Sequence, residues 1–165
     1  MLLNIKKYYF LIVFIISSII IVSAYILEYI YNFPPCKLCI YQRIPYFLIL
    51  FVCATSFLME YRNIHFYAIF FLFFSSFLIA SFHSLVERGL IEYNSGCSSS
   101  INDFESIEDL RNHLESVALT KCDEIIFSIM GLSLANINSL ISFSLVLFNI
   151  YFYFKALWIK KLRKS

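Results

Sequence analysis

The sequence predicts an all-α protein, a four-helix transmembrane bundle with a short interfacial helix in its second outer loop. Of 165 residues, 61% are hydrophobic and 15% are charged, against about 25% charged in an ordinary soluble domain. Four long runs carry no charged residue. Only 3 Gly and 3 Pro are present, which excludes collagen-like, linker-like and disordered chains. A single integral membrane domain is therefore expected.

The charge-free runs locate the spans. They cover residues 8–27, 44–59, 63–86 and 125–154. A hydrocarbon core about 30 Å thick requires about 20 helical residues, so the second run needs its preceding turn, and the fourth leaves 125–133 at the interface. Pro45 is tolerated near a helix start but breaks a helix that already runs through Tyr41, so span two is expected to begin close to Arg43. The predicted spans are about 8–30, 42–60, 64–86 and 134–154.

The basic residues orient the bundle. Lys6 and Lys7 precede the first span, Arg62 lies between spans two and three, and five more basic residues follow the last span. Basic residues mark the cytoplasmic side, so both termini are predicted inside and the loops at about 31–43 and 88–124 outside. Cleavage of a signal peptide after residues 22–24 is an alternative that leaves both loops outside.

The five cysteines fall into three classes. Cys36 and Cys39 form a CxxC motif in the first outer loop, Cys97 and Cys122 lie in the second, and Cys53 lies inside span two. The four loop cysteines are expected in an oxidising compartment. A CxxC serves thiol redox chemistry, half of a zinc site or a plain disulfide. A zinc site usually brings a second closely spaced pair, whereas 24 residues separate Cys97 from Cys122.

Two interpretations of the second pair stay open. A Cys97–Cys122 disulfide would be a loop staple, constraining the unfolded chain by about 3 kcal/mol. Two dithiol pairs within reach on one membrane face can instead pass electrons by thiol–disulfide exchange. Cys53 is expected to be a small buried apolar residue, too far along its helix to bond Cys39.

Arg43 follows Cys39 by four residues, so a helical turn puts both on one face. A cation near a helix N-terminus opposes the macrodipole and invites an electron-rich partner. The candidates are the Cys39 thiolate and a polar acceptor such as a quinone carbonyl, and the alternative is an interfacial arginine that snorkels. Glu28 and the His83/Glu87 pair are further ionisable groups near the membrane boundary.

The second outer loop carries apolar residues at helical spacing between acidic ones. Asn102 and Glu105 resemble a capping box. Residues 103–119 are therefore predicted to form an amphipathic helix whose apolar stripe rests on the bilayer surface.

These residues resemble the DsbB family of bacterial inner-membrane thiol oxidoreductases. Segment 35–46 reads PCKLCIYQRIPY and is similar to the family's P-C-x-L-C-x-x-Q-R signature. Phe82 and His83 through Glu87 to Cys97 resemble the region of the family's third cysteine, and Cys122 onward resembles the entry to its last span. The resemblance covers about residues 30–154.

The resemblance implies a relay. A soluble DsbA-like thioredoxin-fold partner in the periplasm would attack the Cys97–Cys122 disulfide at Cys97, and Cys36 would exchange with Cys122. Electrons would leave from Cys39 to a bound quinone, ubiquinone or menaquinone, held by Arg43 with His83 nearby. No metal is required.

Three other functions compete with this relay. A membrane scaffold or assembly factor stapled by two inert disulfides would stay oxidised without quinone. A metal-handling protein would use the CxxC as ligands. Chemistry like that of vitamin K epoxide reductase would place the CxxC late in the chain, whereas here it is early.

Overall fold

The computed structural model describes residues 2–58, 63–93, 122, 128–129 and 131–162. This part of the chain contains four long helices: α1 (Leu2–Tyr29), α2 (Lys37–Leu58), α3 (Asn63–Glu87) and α4 (Leu134–Leu162). Before α4, the two-residue strands β1 (Ser128–Ile129) and β2 (Leu132–Ser133) form an antiparallel pair. Gly131 lies in the turn between them with a φ of +79°, a conformation that glycine adopts without strain.

Each helix contains a segment long and apolar enough to cross a membrane. These segments are Lys6–Tyr29, Lys37–Leu58, Asn63–Glu87 and Leu134–Lys161. The predicted all-α fold with four transmembrane helices is therefore confirmed. The predicted interfacial helix at 103–119 lies outside the described residues, as does Cys97.

The four helices pack around one core. α3 contacts both α2 and α4, while α1 contacts α2 and, over a smaller area, α4. Tyr9, Ile49, Phe66 and Phe73 are buried between them. The outward faces are also apolar, and a long list of large hydrophobic side chains is exposed. Apolar side chains on both the inner and outer faces are what a helix bundle in lipid requires.

α2 begins at Lys37 rather than near Arg43, so the predicted start of this helix is wrong. Cys36 caps it: the Cys36 carbonyl accepts from the Ile40 N–H at 3.2 Å, and the Cys36 Sγ accepts from the Cys39 N–H at 3.4 Å. The first is the first regular i→i−4 bond of the helix, and the second satisfies a first-turn donor that otherwise lacks an intrahelical partner. Pro45 lies buried inside the helix, where neighbouring helices make a proline tolerable in a membrane span.

Near the end of the bundle opposite the CxxC, a polar side chain joins three of the helices. Asn149 of α4 is buried, and its side-chain amide donates to the Tyr9 hydroxyl at 2.6 Å and to the Phe66 carbonyl at 3.4 Å. One amide thus ties α4 to both α1 and α3.

We expect Asn149→Leu to lower the free energy of unfolding in detergent by about 0.5–1.5 kcal/mol, the range of interhelical hydrogen bonds in membranes. The substitution removes the amide that donates to the Tyr9 hydroxyl, while the leucine side chain fills a similar volume. Thermal or SDS-induced unfolding followed by circular dichroism measures the change. Unaltered stability would show that this amide does not hold the helices together.

Candidate functional site

The CxxC motif lies at the N-terminus of α2. Cys36 is the capping residue and Cys39 lies in the first turn, so both side chains share one side of the helix. Both are free thiols, and the Cys36 Sγ–H donates to the Cys39 Sγ across 3.2 Å. This hydrogen bond and burial together raise the pKa of Cys36 to about 12. In this dithiol, Cys36 holds its proton and Cys39 is the acceptor.

Cys122 is packed against this motif. It is buried in one cluster with Cys36, Leu38 and Val86. Its sulfur hydrogen-bonds with the Cys36 side chain and with the backbone N–H groups of Lys37 and Leu38. A cysteine from the segment between α3 and α4 thus reaches the first dithiol directly. Its predicted disulfide partner, Cys97, lies outside the described residues.

His83 of α3 completes the cluster. Its Nε2 lies 3.5 Å from the Cys36 Sγ and 3.7 Å from a carboxylate oxygen of Glu87, the predicted i, i+4 neighbour. Its Nδ1 lies 2.8 Å from the Gln42 side-chain nitrogen, and the Gln42 oxygen accepts from Asn138 of α4 at 2.7 Å. Three helices therefore position this imidazole against the CxxC.

Arg43 has a partner that the sequence reasoning missed. Its guanidinium forms an ion pair with Glu28 of α1 and lies over the Tyr25 ring, 5.1 Å from the centroid. Glu28 lies near the end of α1 and Arg43 near the start of α2, so the two charges lie at the same end of consecutive antiparallel helices. Their matching positions in the sequence could have predicted that the two residues form an ion pair. A planar guanidinium offers five donors, so one carboxylate does not use them all.

A cavity of about 220 Å³ opens beside the dithiol. Its polar lining includes Cys36, Cys39, Gln42, Arg43, His83, Glu87 and Asn138, together with Ser23 and the hydroxyl-bearing Tyr46. Its apolar lining comes from α1, from α4 and from Phe33, Pro34 and Pro35 before α2. An apolar slot with a few converging polar groups is typical of small-molecule sites. The predicted residues Cys39, Arg43 and His83 all reach this one cavity.

The ligand atoms of Cys36, Cys39 and His83 all lie within 4.8 Å of one another. Two sulfurs and one imidazole form part of a donor set that suits zinc. The nitrogen of His83 that faces the sulfurs also faces the Glu87 carboxylate, and its other nitrogen faces an amide donor. A histidine that binds a metal through Nε2 usually donates its Nδ1–H to an acceptor. Here Nδ1 faces a donor instead, so the surroundings of His83 do not favour a metal.

Cys53 lies fully buried in α2 within the hydrophobic core, as expected for a small apolar residue. The side chains of Gln42, Asn138 and Tyr46 were not predicted as part of the site. Asn138 and Tyr46 looked like ordinary span residues, since nothing local in the sequence indicates which residue of another helix each one faces.

The fold and this site define a multi-pass helical membrane protein with a dithiol at one end of its bundle. The chain matches the family model of disulfide bond formation protein DsbB over residues 6–152 and therefore belongs to the DsbB family. Over 141 residues it is 32% identical to the uncharacterized protein RP370 of Rickettsia prowazekii (strain Madrid E), covering 84% of this chain and 82% of that protein. The predicted resemblance is confirmed, and membership indicates thiol oxidation in disulfide bond formation at a membrane.

The surroundings of Cys122 lead to a pH prediction. Burial, followed by its hydrogen bond with Cys36, raises the pKa of Cys122 to about 11. Only the thiolate is alkylated, so in fully reduced protein the alkylation rate of Cys122 should rise about tenfold per pH unit until about pH 11. Iodoacetamide labelling with peptide mass spectrometry measures this. Free cysteine in the same buffers should level off near its pKa of about 8.5, and a Cys122 plateau there would contradict the prediction.

Proposed function

We propose that this protein reoxidises a DsbA-like thioredoxin-fold dithiol partner and passes the electrons through two cysteine pairs to a membrane quinone. The observation that carries the proposal is that three neighbouring thiols lie beside one cavity. Cys122 hydrogen-bonds with Cys36, Cys36 donates to Cys39, and Cys39 lines the cavity beside Arg43. Sulfurs in such a row are suited to successive thiol–disulfide exchange.

The first exchange involves the partner. A partner thiolate attacks the Cys97–Cys122 disulfide at Cys97, forms a mixed disulfide there and releases Cys122 as a thiolate. Cys122 then attacks the Cys36–Cys39 disulfide at Cys36 and releases Cys39 as a thiolate. The hydrogen bond of Cys122 with Cys36 supports this choice of sulfur.

The second exchange restores the loop disulfide. The second partner thiol attacks the mixed disulfide, so the oxidised partner leaves and Cys97 is released. Cys97 attacks Cys122 of the Cys36–Cys122 disulfide, which leaves Cys36 and Cys39 as a dithiol. Two electrons have then moved from the partner to the CxxC pair.

The cavity fits a quinone head group. Its walls are largely apolar, and Arg43 and Cys39 both line it. A quinone held there would supply the acceptor for the two electrons and two protons that the Cys36 and Cys39 thiols give up as their disulfide re-forms. Arg43 would hold a carbonyl of the head group and stabilise the Cys39 thiolate, while His83 would form the polar wall nearby.

The membrane orientation is part of the proposal. Lys6 of α1 and Lys160 of α4 line one groove with Asn63, at the beginning of α3, and the CxxC is near the end of α3. Basic residues favour the cytoplasmic side. Both termini would therefore be cytoplasmic in the bacterial inner membrane, with the cysteine loops in the periplasm.

The decisive experiment is quinone reduction by purified full-length protein in detergent, driven by a reduced thioredoxin-fold donor. We expect Cys39→Ser to abolish turnover, because the sulfur beside the cavity is lost. Cys53→Ser is the matched control in the same helix and should keep turnover, since Cys53 is buried away from the site. Wild-type protein that reduces no quinone, with donor and folding verified, would favour the disulfide-stapled scaffold.

The role of Arg43 has its own test. Arg43→Ala should raise the apparent KM for quinone about tenfold or more, because a charged hydrogen bond contributes about 1.5–3 kcal/mol. Arg88→Ala removes an exposed cation beyond the end of α3 and serves as the control. An unchanged KM in Arg43→Ala would remove Arg43 from the quinone site.

A further inference from the structure

A continuous line of hydrogen bonds runs through the bundle core and ends at the CxxC. Its deep half joins α3, α4 and α2: Ser76 contacts Ser142 at 3.0 Å, Ser142 contacts the Tyr46 hydroxyl at 2.9 Å, and Tyr46 donates to Asn138 at 2.7 Å. Ser76, Ser142 and Tyr46 are almost completely buried. We call this line, with its continuation from Asn138 to the cysteines, the polar chain.

The outer half of the polar chain leads from Asn138 to the sulfurs. Asn138 donates to Gln42 at 2.7 Å, Gln42 meets His83 at 2.8 Å, and His83 meets the Cys36 Sγ at 3.5 Å. Cys36 donates to Cys39 at 3.2 Å. Apart from the two sulfurs at its end, none of these side chains is needed by the thiol exchanges described above.

The charge of Glu87 sets the direction of the polar chain at His83. The Nε2 of His83 faces the Glu87 carboxylate and the Cys36 sulfur, and an ionised carboxylate only accepts. Glu87 is itself held by a hydrogen bond from the Ser133 hydroxyl. The Gln42 NH₂ group faces Nδ1 and its oxygen faces Asn138, so Nδ1 is placed as an acceptor and Nε2 as the donor toward the two acceptors that face it.

That direction propagates, because the two ends of a side-chain amide differ. With Nδ1 of His83 as acceptor, Gln42 presents its NH₂ to it and turns its oxygen to Asn138. Asn138 then gives its NH₂ to Gln42 and accepts from the Tyr46 hydroxyl. The Tyr46 hydroxyl in turn accepts from Ser142. Every donor in the polar chain therefore points toward the dithiol, and the Cys39 sulfur is the last acceptor.

We propose that the polar chain is a positioning device that aims aligned donors at the CxxC and stabilises negative charge on the Cys39 sulfur in the reduced protein. Gln42, Asn138 and Tyr46 are its positioning residues, and they act through His83. Hydrogen bonds in a low-dielectric interior polarise one another when they are aligned, so an alteration far from the sulfurs is transmitted to them. This inference rests on the proposed function in one respect: it takes from it that Cys39 is the sulfur that carries negative charge in the reduced protein.

The first test measures the equilibrium reduction of the Cys36–Cys39 pair. Quinone-free full-length protein is equilibrated anaerobically with dithiothreitol buffers, acid-trapped, alkylated and analysed by peptide mass spectrometry. A stabilised reduced form makes a disulfide more oxidising, so Gln42→Leu and Asn138→Leu should lower the equilibrium constant for reduction about threefold to tenfold, consistent with one hydrogen bond. Tenfold corresponds to about 30 mV for this two-electron couple.

The controls separate this role from a structural one. Asn149→Leu makes the same change on the same helix outside the polar chain and should leave the equilibrium constant unchanged. Tyr46→Phe removes a single oxygen atom and should give a smaller shift in the same direction as Asn138→Leu. Equal shifts in Asn149→Leu and Asn138→Leu, or no shift in Gln42→Leu, Asn138→Leu and Tyr46→Phe, would overturn the proposal.

The second test reads the polar chain in wild-type protein, and its one variant serves only to assign signals. Nitrogen NMR of ¹⁵N-histidine-labelled, reduced wild-type protein reports which imidazole nitrogen carries the proton, and the loss of signals in His83→Gln assigns His83. We expect a protonated Nε2 and an unprotonated Nδ1, whereas the reverse would refute the direction of the polar chain. Neither test uses a quinone or a partner protein. The proposed function is tested separately by the quinone-reduction assay, so its failure can be distinguished from failure of this inference.

Discussion

The absence of water from the bilayer core is the constraint on which the structure depends. A buried amide, hydroxyl or imidazole has no solvent partner there, so a hydrogen-bond partner within the protein, on its own or on another helix, stabilises it. Gln42 of α2 meets His83 of α3 and Asn138 of α4, and these contacts fix how the three helices are rotated about their axes. The same rotation brings the imidazole against the Cys36 sulfur. The hydrogen bonds that satisfy these polar side chains therefore also assemble the site.

The ion pair between Arg43 and Glu28 couples the remaining helix to this arrangement. It joins α1 to α2 on the wall of the cavity. A lone guanidinium at the membrane boundary would be costly, whereas a paired one keeps its free donors at lower cost. A quinone carbonyl would then meet an arginine that is already oriented and needs to give up little hydration. Glu28 thus explains how Arg43 can lie beside an apolar slot.

The sequence predicts long-range architecture better than contacts. Charge-free runs locate all four helices, and α4 begins at Leu134, where the last span was expected. The start of α2 was missed because the capping interaction of the Cys36 sulfur and the burial of Pro45 outweigh the local rule for proline. Pairs such as Gln42 with His83 were missed for a different reason: hydrophobic periodicity does not specify which polar residues on separate helices meet.

The position of the CxxC at a helix start gives its two sulfurs different neighbours. Both cysteines line the cavity, but Cys36 caps α2 and is buried with Cys122 of the segment between α3 and α4, whereas Cys39 lies in the first turn, four residues before Arg43. In the proposed relay, electrons enter at the capping sulfur and leave from the Cys39 sulfur. The two sulfurs lie 3.2 Å apart. In the proposed relay, this short distance would let electrons pass from the one sulfur to the other without any movement of α2.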